Sequence, residues 1–134
     1  MDAKHIHNWK VLTLSCIDGR FIKRIDDWIA KKQPVFDYRS EIGASKAIID
    51  SESDRKRFFK VVATSIKLHG IKEIWLFDHI DCGAYGGSKS FESAEKEQEL
   101  HSKRLNKAAA IIIGKFPDIL VKKFYVDWDS IKEI

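Results

Sequence analysis

Short apolar runs alternate along the chain with longer segments whose apolar residues recur every three or four positions, the two periods of strands and helices. Lys10 to Ser15 (KVLTLS) reads as a β-strand that meets Cys16-Ile17-Asp18-Gly19-Arg20, and the amphipathic stretch from Phe21 to Lys32 reads as a helix behind it. Pro34, which has no N–H and disfavours helix at the residue before it, ends that helix. Val35-Phe36-Asp37-Tyr38-Arg39 then alternates as a second strand, with Glu41-Ile42-Gly43-Ala44-Ser45 as its exit loop. A second helix-like segment, capped by Ser53 or Asp54, runs to about His69, with Phe58, Val61, Val62, Ser65, Ile66 and Leu68 on its apolar face and Gly70 as its stop. Ile71 to Phe77 (IKEIWLF) has the length and the β-branched and aromatic content of a core strand, and it runs into Asp78-His79-Ile80-Asp81-Cys82-Gly83. A helix is predicted from Ser90 to Phe116, before Pro117, and a final strand from Lys122 to Asp127.

Strands alternating with helices predict an α/β fold with a mainly parallel β-sheet flanked by helices. Ligands of such sheets gather beyond the carboxyl ends of the strands, where both Cys/His/Asp clusters fall. A length of 134 residues, 44% of them hydrophobic, suits one domain over residues 1–134 with one core. The longest apolar run, Ala108 to Ile113, is far shorter than the roughly 20 residues that cross a bilayer, so no membrane association is expected. The opening Met1-Asp2-Ala3-Lys4-His5 has none of the regions of a secretory signal, which makes the cytoplasm the expected location. The net charge of +4 is scattered among acidic neighbours and accompanies no nucleic-acid motif, so no nucleic-acid partner is expected. In a reducing compartment the two cysteines are expected as thiols or metal ligands rather than a disulfide.

Zinc takes thiolate and imidazole ligands in tetrahedral geometry, and a catalytic site keeps the fourth position for water or substrate. Cys16, His79 and Cys82 supply three such ligands, the latter pair from one turn and Cys16 from another strand end. Asp18 and Arg20 lie two and four residues after Cys16, on one side of a locally extended chain. A bidentate contact with Arg20 would keep Asp18 ionised, either as acceptor for the proton of a metal-bound water or as a fourth zinc ligand itself. Taken singly, each residue has a plainer reading as a core cysteine, a satisfied histidine or a surface ion pair; the joint placement favours a metal. His5, His7 and His101 read as surface residues rather than proton shuttles.

Cys16-Ile17-Asp18-Gly19-Arg20 is similar to the Cys-x-Asp-x-Arg element of β-class carbonic anhydrases, and His79-Ile80-Asp81-Cys82-Gly83 resembles their His-x-x-Cys-Gly element, about sixty residues later. The resemblance spans roughly Lys10 to Asp127 and implies a compact β-carbonic-anhydrase-like zinc domain. It implies Cys16, His79 and Cys82 as zinc ligands, with Asp18 and Arg20 as the catalytic dyad that governs the fourth ligand. The implied reaction is reversible hydration of carbon dioxide to bicarbonate by a zinc-bound hydroxide, that of a carbonate dehydratase (a carbon–oxygen lyase), in a homodimer or higher homo-oligomer. Hydrolysis of a related heterocumulene, carbon disulfide or carbonyl sulfide, and a zinc-binding non-catalytic homologue are the alternatives. The chain departs from the family at Arg39-Ser40-Glu41-Ile42-Gly43-Ala44-Ser45, where an Arg-Asn-Ala-Gly-like loop is common. Gly43 and Ala44 would let backbone approach the substrate, whereas Glu41 would repel bicarbonate or fill its site. Tyr85 is placed at the pocket mouth or in a plain loop; of Trp9, Trp28, Trp75 and Trp128, most are expected in the core and any exposed one in an interface.

Overall fold

The computed structural model describes residues 3–134; Met1 and Asp2 lie outside the described residues. Five strands, β1 (Val11–Ser15), β2 (Asp37–Ser40), β3 (Glu73–His79), β4 (Leu120–Val126) and β5 (Ile131–Glu133), form one sheet in the order β2-β1-β3-β4-β5. The first four are parallel and β5 is antiparallel to β4. Helices α1 (Ile22–Lys32), α2 (Ser45–Asp50), α3 (Glu52–His69) and α4 (Ala94–Lys115) complete the expected α/β architecture. All residues of β1 and β3 are buried, as befits central parallel strands covered on both faces. The pleat divides the core. Leu12, Leu14, Ile74 and Leu76 pack with residues of α2, α3 and α4, whereas Val11, Trp75 and Phe77 pack with Phe21, Ile25 and Ile29 of the α1 side.

Several boundaries differ from the sequence expectation. The exit loop of β2 ends early, because Ser45 starts the short helix α2. The cap of α3 is Ser51, whose side chain accepts the Asp54 N–H at 3.2 Å, rather than Ser53 or Asp54; both Glu52 and Asp54 then sit in the first turn, beside the positive end of the helix dipole. Only Phe58, Val62 and Ser65 of α3 are buried, and Ile66 and Leu68 face outward, because the stripe spaced four and three residues apart turns both away from the sheet. Gly70 does end α3, in the left-handed conformation at φ 67°. Helix α4 starts at Ala94 with Ser93 as its cap, since Ser88–Ser90 form a separate 3-10 turn. The strand expected at the end is followed by another, β5.

Trp75 is buried and Trp28 half-buried in one aromatic cluster with Phe77 and Phe124, Trp9 stacks on His69, and Trp128 is exposed. Among the described residues no helix is long and apolar enough to cross a membrane.

Candidate metal centre

Strands β1 and β3 are hydrogen-bonded neighbours running in the same direction, which brings their carboxyl ends together. Cys16 directly follows β1, and His79 is the last residue of β3 itself, one step earlier than a position in the turn after it. Cys82 returns to the same point because the intervening Asp81 adopts φ 58°, a left-handed corner. The ligand atoms of Cys16, His79 and Cys82 thus lie within 4.8 Å of one another. His79 and Cys82 are buried and Cys16 is 9% exposed.

The chemistry of this cluster fits a metal ion. His79 donates its Nδ1–H to the Ile80 carbonyl at 2.7 Å, which directs the bare Nε2 inward, and that buried Nε2 has no hydrogen-bond partner. The Phe21 ring stacks on the imidazole at a centroid distance of 4.4 Å and fixes its plane. The Cys82 thiol donates to Cys16; this bond outweighs burial and, with the neighbouring His79 imidazole and the Gly43 and Asp18 backbone, lowers the Cys16 pKa. The same bond, followed by burial, pushes the Cys82 thiol up. Burial opposes the charged form of His79, yet the neighbouring Cys16 sulfur, the Ile80 carbonyl and the Asp18 carboxylate raise its pKa. Two sulfurs and one imidazole nitrogen form a donor set consistent with zinc.

Asp18 stands beside the cluster, with Oδ2 3.8 Å from His79 Nε2. Arg20 grips it with Nη2 at 2.7 Å and Nε at 3.1 and 3.3 Å, and this guanidinium holds its pKa down to about 2. Arg20 also donates to Asp81 Oδ2 and to the Asp81 carbonyl, both at 3.0 Å, and lies against the rings of Phe21 and Trp128, which contact each other. Cys16, His79 and Cys82 therefore converge with Asp18 and Arg20 beside them, and the Ala44 side chain packs in the core. Gly43, at φ 75°, reaches Cys16 through its backbone, and a Cβ there would stand 2.9 Å from the Lys46 Cβ and 3.0 Å from the Ala84 Cβ. Glu41 is not free: it is buried and accepts two bonds from Arg39, at 2.9 and 3.1 Å.

A buried polar group beside the centre escaped sequence reading. Asp78, next to His79, accepts the Ser45 N–H at 3.1 Å, the Ser45 hydroxyl at 2.6 Å and the His101 Nδ1–H at 2.7 Å. His101 is thus fully buried rather than a surface residue, and Tyr85 joins the group through Ser45 Oγ at 2.7 Å and Arg104 Nε at 3.1 Å. The one available signal was an acid directly after the apolar run Ile74–Phe77, inside a buried strand. Glu97, buried in the first turn of α4, bonds to the Asp81 N–H and looks in the sequence like any acid at a helix start.

The sequence model of a family described as "Putative carbonic anhydrase" matches residues 6–133. An uncharacterized protein of Rickettsia bellii (strain RML369-C) is 33% identical over 139 residues, covering 97% of this chain and 84% of its own. A second uncharacterized protein, from Rickettsia conorii (strain ATCC VR-613 / Malish 7), is 34% identical over 140 residues, covering 97% and 74%.

Proposed function

The chain belongs to the Putative carbonic anhydrase family, and from that premise we propose that it is a β-class, zinc-dependent carbonic anhydrase that interconverts carbon dioxide and bicarbonate. The observation that carries the reading is a three-donor Cys16, His79 and Cys82 cluster with an ionised carboxylate, Asp18, beside it. Bound there, zinc supplies a Lewis acid that brings the pKa of a water to about 7, the value carbonic anhydrase itself exemplifies.

The chain's own residues do the rest. His79 and the two cysteines would hold the ion, three protein donors being the number usual in a catalytic zinc site. Asp18, kept charged by Arg20, accepts a proton or a hydrogen bond at the fourth position through Oδ2 and so orients what sits there. Arg20 is itself steered by Asp81 and flanked by Trp128, which fixes the direction of the dyad. Ile17 and Ile42, exposed on the segments that carry Asp18 and Gly43, give a small apolar molecule a compatible approach. With Glu41 neutralised by Arg39, its charge no longer argues against an anionic product. The two unpaired cysteines suit a reducing cytoplasm, and a homodimer over the β2 edge would cover the exposed Tyr38.

The test is elemental analysis of purified protein followed by stopped-flow carbon dioxide hydration across neutral and alkaline pH. One zinc per chain and a rate above buffer that is lost in Cys16→Ser are expected. Turnover of carbon disulfide or carbonyl sulfide alone would move the substrate; stoichiometric zinc with neither activity would leave a non-catalytic homologue.

A further inference from the structure

Glu97 is a carboxylate 1% exposed, and among the described residues no ion pair reaches it. Its partners are the Asp81 N–H at 2.8 Å to Oε2 and the Ser88 hydroxyl at 2.8 and 3.1 Å. A buried carboxyl group answered only by an amide and a hydroxyl is costly to desolvate, so its placement asks for a reason. Asp81 supplies one. It is one of two non-glycine residues at positive φ among the described residues, a conformation that L side chains disfavour. The corner stands between two candidate ligands, His79 and Cys82, and decides whether both point to one place. Asp81 also accepts the Ser88 N–H at 2.8 Å and holds Arg20, whose other edge holds Asp18.

We infer that Glu97 is the positioning residue of the metal-binding turn: its buried carboxylate fastens the Asp81 N–H, sets the left-handed corner that converges His79 and Cys82, and presents Asp81 to Arg20. Ser88 completes the clasp by spending its hydroxyl on Glu97 and its N–H on Asp81. The inference rests on the zinc reading above for its functional meaning, while the clasp itself is a property of the protein without metal.

Glu97→Met keeps the volume and removes the acceptor; Glu97→Gln keeps an acceptor without the charge. Leu105→Ala, a buried change on the same helix outside the clasp, controls for general loosening. Amide hydrogen exchange on metal-free protein should find the Asp81 N–H protected in the wild type and in Glu97→Gln but exposed in Glu97→Met. Competition with a zinc chelator should show zinc binding weakened about 10- to 100-fold in Glu97→Met, and little changed in Glu97→Gln and Leu105→Ala. Glu97→Ala serves as second variant should the methionine not be accommodated. A protected Asp81 amide or wild-type zinc affinity without the acceptor, or an equal loss in Leu105→Ala, would overturn the inference. A wild type that binds no zinc yet shows the expected exchange pattern would overturn the function instead and leave the clasp standing.

Discussion

At the scale of single residues the centre is a set of protons waiting to be displaced. Cys16 is poised as a thiolate, whereas Cys82 holds its proton well above the usual thiol range and His79 is also shifted toward its charged form. Zinc needs both sulfurs as thiolates and the imidazole neutral, so binding must release the Cys82 proton and, below the His79 pKa, a second one. Zinc affinity should therefore rise with pH, about tenfold per unit per proton displaced, and more steeply on the acid side. Chelator competition at a series of pH values checks the sign; a flat profile would contradict it. Asp18→Asn separates the two roles open to that carboxylate. If it serves the fourth position without binding the metal, kcat should fall by about 10²- to 10⁴-fold while zinc affinity holds. A loss of affinity would make it a ligand.

At the scale of elements, the centre is held by contacts from helices that carry none of the ligands. Asp78 on β3 ties together Ser45 at the start of α2 and His101 on α4, all three of them buried. That network fixes the α2 end of the loop containing Gly43, and with it the backbone that faces Cys16. His101→Ala leaves Asp78 with Ser45 as its remaining buried partner, so unfolding free energy in urea should drop by about 1.5–3 kcal/mol. A drop under 1 kcal/mol would mean that Ser45 alone satisfies the carboxylate. Reading the sequence by period locates β1, α1 and β3 well because each contributes one clean pattern. It misses α2, six residues long, since so short a helix has too few turns to show a period. It also places β4 as the final strand, because the three residues of β5 are legible only once β4 is there to pair with them.

At the scale of the whole molecule, β2 lies at the sheet edge beside a groove of about 440 Å³ lined by residues that include Phe36, Tyr38, Val61 and His69. Tyr38 is 70% exposed there, and an uncovered edge strand is a ready pairing surface. If a homodimer covers this edge, Tyr38→Glu should give a monomer by light scattering while zinc content is retained; a monomeric wild type would remove the case. The amino-acid sequence by itself determined the alternation of elements, the mainly parallel sheet and the candidate ligands Cys16, His79 and Cys82. Those features are local: hydrophobic period selects strand or helix, and a donor residue at a strand end is visible in one dimension. Tertiary structure alone decided that the three donors lie within 4.8 Å, that Glu41 is neutralised by Arg39, and that Asp78, His101 and Glu97 are buried against the centre. Such facts depend on which distant side chain fills each buried hydrogen-bonding position, and in low dielectric that choice sets the cost of every charge around the metal site.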